Sequence, residues 1–150
     1  MTPEEIRDRL IGSWRLLDVE HIDDDGEVGR PFGESPQGLL IYTPEGTMSA
    51  TVMRRGRPNF AAADILAASD AERIAAFASA SAFAGRYEIV GDEICHHLEI
   101  ATYPNWTGTD QLRRFELTGT LLTLYPPRMR MEGKTRRAEV RWERLAPWRR

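Results

Sequence analysis

The sequence predicts a mostly all-β protein: an eight-stranded antiparallel barrel with a short N-terminal helix and one helix inserted between strands three and four. Three observations carry this. Eight segments of strand length show apolar–polar alternation or short apolar runs. Most of them are joined by hairpin-like turns. Only one long helical stretch interrupts the series. Regularly spaced antiparallel strands of this kind form barrels or sandwiches, and a barrel of eight has room for one small ligand.

The elements read as follows. Thr2 is an N-cap, Pro3 suits the first helical position and Glu5 completes a capping box. Ile6 and Leu10 then share a face, and Gly12 ends the helix as a left-handed C-cap would. "SWRLLDVEH" is the first strand, closed by the turn "DDDG"; "GLLIY" is the second. "TPEG" turns tightly into "TMSATVM", where Met48, Ala50 and Val52 alternate with Thr47, Ser49 and Thr51. After the loop-like "RRGRPNFAAADILAAS", Ser69 caps a helix with Glu72 three residues on. That helix is read through "DAERIAAFASASAFAG", with Ile74 and Phe77 on one face, and stops at Gly85. "RYEIV", "EICHHLEIA", "DQLRRFEL", "TLLTLYP" and "TRRAEVRWERL" supply the remaining five strands.

Composition narrows the class. Hydrophobic residues at 41% and charged residues at 29% fit a folded soluble protein rather than a disordered one. The length of 150 residues, with no repeat or linker-like break, suits one domain over 1–150. Cys95 is alone, so no internal disulfide forms. "MTPEEIRDRL" lacks the features of a signal peptide, and no apolar run has the length of a membrane span, so the expected location is the cytoplasm, away from membranes. The C-terminal third is rich in Arg, but no nucleic-acid motif accompanies it, and the charges read as a solvated outer face. A homodimer is left open.

From "IGSWRLLDVE" onward the pattern becomes familiar. Gly12-Ser13-Trp14 matches the Gly-x-Trp that opens the first strand of lipocalins and related calycin barrels. With "GLLIYTPEGTMSA", "FAGRYEI", "HHLEIATYPNWTGTDQLRRFEL" and "LTLYPP", the chain resembles the bacterial and fungal lipocalin-like domain family from Leu10 to Leu145. The resemblance implies a barrel in which a C-terminal Arg, Arg144 or Arg141, packs over Trp14. It implies either a ligand carrier or a cofactor-free isomerase or cyclase of secondary metabolism. Transport outside the cell is not implied, because a signal peptide and disulfides are missing.

Alternation sets the candidate site. With Trp14 inside, Leu16, Asp18 and Glu20 are expected to follow it inward. Tyr87 faces with Ile89; Arg113 and Gln111 face with Phe115 and Leu117; Ala138, Val140 and Trp142 bring Arg144. On "EICHHLEIA" the set Ile94, His96, Leu98, Ile100 is apolar but for the imidazole, so His96 is expected inside and His97 with Glu99 outside. A bulge would reverse this, and Pro104 favours one near the strand's end rather than at His96.

A core histidine is usually satisfied by a carbonyl or a tyrosine hydroxyl. Arg113 beside it changes the reading, because a buried guanidinium needs a partner: Asp18, Glu20 or a ligand anion. Binding of a small, largely apolar molecule would use Arg113 and His96, with Tyr42, Met48, Tyr87 and Phe115 as walls. Tyr103, Asn105 and Trp106 of "YPNWTGT" sit at the rim, as a gate or as a turn packed across the barrel end. An isomerase or cyclase would use His96 with Glu20 or Asp18 as acid–base groups. No cofactor and no metal are expected. His96 and His97 face opposite ways, His21 is the only other imidazole, and zinc normally takes three or four ligands.

Overall fold

The computed structural model describes residues 1–150. Its elements in chain order are α1 (Pro3–Leu10), β1 (Gly12–Asp23), β2 (Val28–Gly29), β3 (Gln37–Tyr42), β4 (Thr47–Met53), α2 (Asp70–Ala78), β5 (Ala80–Val90), β6 (Glu93–Ala101), a 3-10 turn (Pro104–Trp106), β7 (Asp110–Thr118), β8 (Leu121–Tyr125), β9 (Met129–Met131) and β10 (Lys134–Arg144). Eight strands, β1, β3, β4, β5, β6, β7, β8 and β10, pair in succession, and β1 pairs back with β10 to close the barrel. The short β2 and β9 are additions beside β1 and β10.

The predicted capping boxes form at both helices, Thr2 with Glu5 and Ser69 with Glu72. α1 plugs one end of the barrel. Its buried Ile6 and Leu10 join Trp14, Tyr42, Met48, Tyr87, Ile94 and Leu122 in one apolar cluster. Trp14 donates its indole N–H to the Leu10 carbonyl at 2.9 Å, tying plug to wall. The Arg144 guanidinium lies 4.2 Å from the Trp14 ring centroid and donates to the Ile11 and Arg9 carbonyls. Of the two candidates for that place it is therefore Arg144; Arg141 faces outward to Glu20 and Glu139.

Gly12 is not a left-handed helix cap. Ile11 is the C-cap, and Gly12 opens β1 at φ +133°. A Cβ there would stand 2.7 Å from the Arg144 guanidinium and push its tip aside, and at this φ any other residue would strain the backbone.

Three further expectations need correction. The inserted helix stops at Ala78, not Gly85. Ala80–Gly85 is strand, hydrogen-bonded to β4 on one side and facing β6 on the other. Alanine favours helix in isolation, but two waiting strand edges outweigh that preference here. Asp18 and Glu20 do not point inward. β1 bulges between Leu16 and Asp18, so Leu17 is the extra residue and the phase flips. Val19 and His21 then face the interior, while Asp18 and Glu20 pair on the outer wall with Arg30 and Arg141. Ile100 is exposed rather than inward, because β6 carries a second extra residue at Glu99. Gly85 makes that bulge feasible: any Cβ there would collide with the His97 carbonyl oxygen.

Candidate functional site

Beyond the plugged end the barrel encloses a cavity of about 510 Å³. Inward residues of nearly every strand form its wall, among them Val19, Leu40, Ala50, Val52, Phe83, Leu124, Val140 and Trp142. Its mouth is made by the loops at the other end: Pro31 and Phe32, Phe77 and Ala78 of α2, Tyr103 and Trp106, and Pro126–Met129. Trp106 packs edge-on against both Phe83 and Tyr103, at centroid distances of 5.5 and 5.6 Å. Asn105 donates to the Tyr103 hydroxyl at 2.9 Å and fixes that ring without lining the cavity itself.

His96 and Arg113 supply the deep polar groups. His96 is completely buried and faces inward, as alternation on β6 predicts up to the Glu99 bulge. Its Nε2 lies 2.7 Å from the Tyr42 hydroxyl, and its Nδ1 is buried with no partner. Tyr42 has no other side-chain hydrogen bond, so pairing its proton requires the hydroxyl to donate to Nε2. The imidazole proton then sits on Nδ1. Burial, reinforced by the Arg113 charge, pushes the imidazole well below its ordinary range and keeps it neutral.

Arg113 is 4% exposed. It donates through Nη2 to Gln111 Oε1 at 2.7 Å, its Nε has no partner, and no carboxylate lies within ion-pair distance. Burial pushes this guanidinium down to about 10, which leaves it charged at neutral pH. The expected partners Asp18 and Glu20 are on the far side of the wall. They cannot compensate Arg113, and they cannot form an acid–base pair with His96, whose hydrogen-bond partner is Tyr42.

Of the other expected wall residues, Tyr42, Met48 and Tyr87 lie in the core beneath the cavity rather than in its lining. Tyr87 donates to the Thr43 carbonyl at 2.7 Å. Phe115 packs against that core and does not line the cavity either. Sequence reading missed much of the lining, Val19, His21, Phe83 and Leu124 among it. His21 enters because of the Leu17 bulge, and its Nδ1 is buried without a partner. Trp142, expected inward, brings an indole Nε1 that is also unpartnered.

His97 faces outward between Asp110 Oδ1 at 2.6 Å and Glu88 Oε1 at 2.8 Å, and these carboxylates hold it above its ordinary range. Cys95 shares that outer face. Burial and the same two carboxylates push its thiol up, against a nucleophilic role. No group of three or more His, Cys, Asp or Glu side chains is arranged to hold a metal ion, and no helix is long and apolar enough to cross a membrane.

The 4'-hydroxy-3'-methoxypropiophenone carrier protein of Aspergillus oryzae is 30% identical over 109 residues, spanning 65% of this chain and 96% of that protein. A solved lipocalin-like protein from Bacteroides uniformis superimposes with a TM-score of 0.48 at 17% identity, covering 91% of this chain and 98% of the other. Residues 11–145, which hold every barrel strand and the whole cavity lining, match the lipocalin-like domain family, and the chain belongs to that family.

Proposed function

We propose that this barrel is an intracellular binding protein for a small, largely apolar organic molecule. The observation that carries the reading is the cavity itself. About 510 Å³ of space falls within the range of roughly 300–1,000 Å³ typical of small-molecule sites. Mostly apolar walls surround a few deep polar groups, the usual division between affinity and orientation in such sites. A relative named for carrying a substituted propiophenone, an aromatic ketone, supports the same reading. With Asp18 and Glu20 outside the barrel, His96 lacks the carboxylate that acid–base turnover was expected to use.

The test is occupancy. Native mass spectrometry of the protein from its source is expected to reveal a co-purifying small molecule. The purified chain is expected to enhance the fluorescence of the neutral dye N-phenyl-1-naphthylamine. Ala138 lines the cavity from β10, so Ala138→Trp should fill it, weaken dye binding about tenfold or more, and leave the melting temperature nearly unchanged. A dye that binds this variant as tightly as the parent would remove the cavity from consideration.

A further inference from the structure

Resting on the reading of the cavity as a small-molecule site, we propose that its ligand is a weak organic acid, held as the anion with its ionised oxygen against Arg113. Two independent features of the cavity lead there.

The first is charge. The ionisable residues lining the cavity are Arg113, Arg128, Asp110, Tyr103, His21 and His96. Arg128 pairs with Asp24 at 3.2 Å, and Asp110 is engaged by His97 at the rim. His96 and His21 are both held toward the neutral form by burial. What remains in the depth is one uncompensated positive charge. A guanidinium keeps its proton, so its burial is balanced by an anion or by a full set of acceptors, and Gln111 supplies only one.

The second is the direction of the hydrogen bonds. Arg113 Nε–H and Trp142 Nε1–H are donors, as is His96 Nδ1–H when the Tyr42 hydroxyl donates to Nε2, and all three are buried without a partner; His21 Nδ1, also unpartnered, takes either role. The Gln111 carbonyl accepts from Arg113 and keeps one lone pair, and its amide offers two protons. A wall of donors beside a fixed cation fits an oxygen anion. A neutral alcohol would leave the Arg113 charge uncompensated, and an amine would add a second positive charge. The apolar remainder of the cavity fits the hydrocarbon or aromatic body of the same molecule. Phenols, enols and carboxylic acids share this chemistry.

The probe is 4-nitrophenol, whose phenolate is coloured, titrated spectrophotometrically free and in the presence of the full chain. The ionisation midpoint is expected to move to lower pH on binding by about one unit or more, a tenfold or greater preference for the anion. Arg113→Met should abolish the shift and Arg113→Lys should retain part of it, which separates loss of charge from loss of fold. Displacement of N-phenyl-1-naphthylamine by 4-phenylbutyrate and by its methyl ester gives a carboxylate arm. The acid should win about tenfold in the parent and lose that lead in Arg113→Met. A midpoint shift without an acid-over-ester preference assigns phenols or enols, the converse assigns carboxylic acids, and both support an anion site. A dye that binds while neither arm discriminates overturns the anion proposal and leaves the cavity reading intact. Failure of the dye itself to bind the parent overturns the cavity reading on which the proposal rests.

Discussion

His96 and His97 are adjacent in the chain but titrate in opposite surroundings, and the pH dependence of stability should separate them. Both start from an ordinary value of 6.5. His96 is lowered in the folded state, so below about pH 6.5 the unfolded chain binds a proton that the folded protein refuses. Its contribution is present above 6.5 and is lost as pH falls toward its depressed value, with His21 adding to the same limb. His97 is raised by Asp110 and Glu88. Its contribution is present below 6.5 and is lost as pH rises through its elevated value. Urea unfolding across pH is expected to show His96→Gln flattening the acid limb and His97→Asn flattening the limb above 6.5; an exchange of these effects would reverse the strand phase. Trp14, fully buried between α1, β1 and Arg144, should cost ~3–5 kcal/mol when replaced by Ala, measured the same way. Inward His96 was legible because its strand is apolar at every second residue from Ile94 to Leu98. Its partner Tyr42 was not, because a contact across 54 residues leaves no local trace.

At the scale of elements, alternation stayed in phase until a strand took in one extra residue. β7 and β10 run without interruption, and Arg113, Val140 and Trp142 were placed correctly on them. β1 and β6 bulge at Leu17 and Glu99, and Asp18, Glu20 and Ile100 fell on the wrong face. A bulge is set by the partner strand as much as by its own sequence, so a single-strand pattern cannot contain it. The Ala-rich stretch failed for a related reason: alanine and serine fit helix or strand, and the neighbouring edges decided at Ser79. α2 contributes no buried residue, yet its Phe77 lines the cavity mouth while remaining 58% exposed. Phe77→Ala is therefore expected to speed dye release several-fold in stopped-flow displacement. The melting temperature should hold, since little buried area is lost. An unchanged release rate would mean that Phe77 does not limit the ligand's path.

For the whole molecule, strand number, hairpin order and the two helical additions were legible from turn residues and periodicity. The cavity was expected, but its volume was not legible, because it depends on how eight separate strands tilt around one axis. Closure rests on β1 meeting β10, Trp14 opposite Arg144 through Asp23 opposite Arg136. That seam joins the first strand made to the last. A growing or truncated chain that ends before Lys134 has every other wall in hand but two open edges, on β1 and β8, and exposed edges are templates for aggregation. Binding capacity should therefore arrive all at once, when synthesis reaches the final strand. Prematurely terminated products should be insoluble rather than partly active, and proteolytic removal of the last strand would inactivate the protein as completely as the loss of any residue inside it.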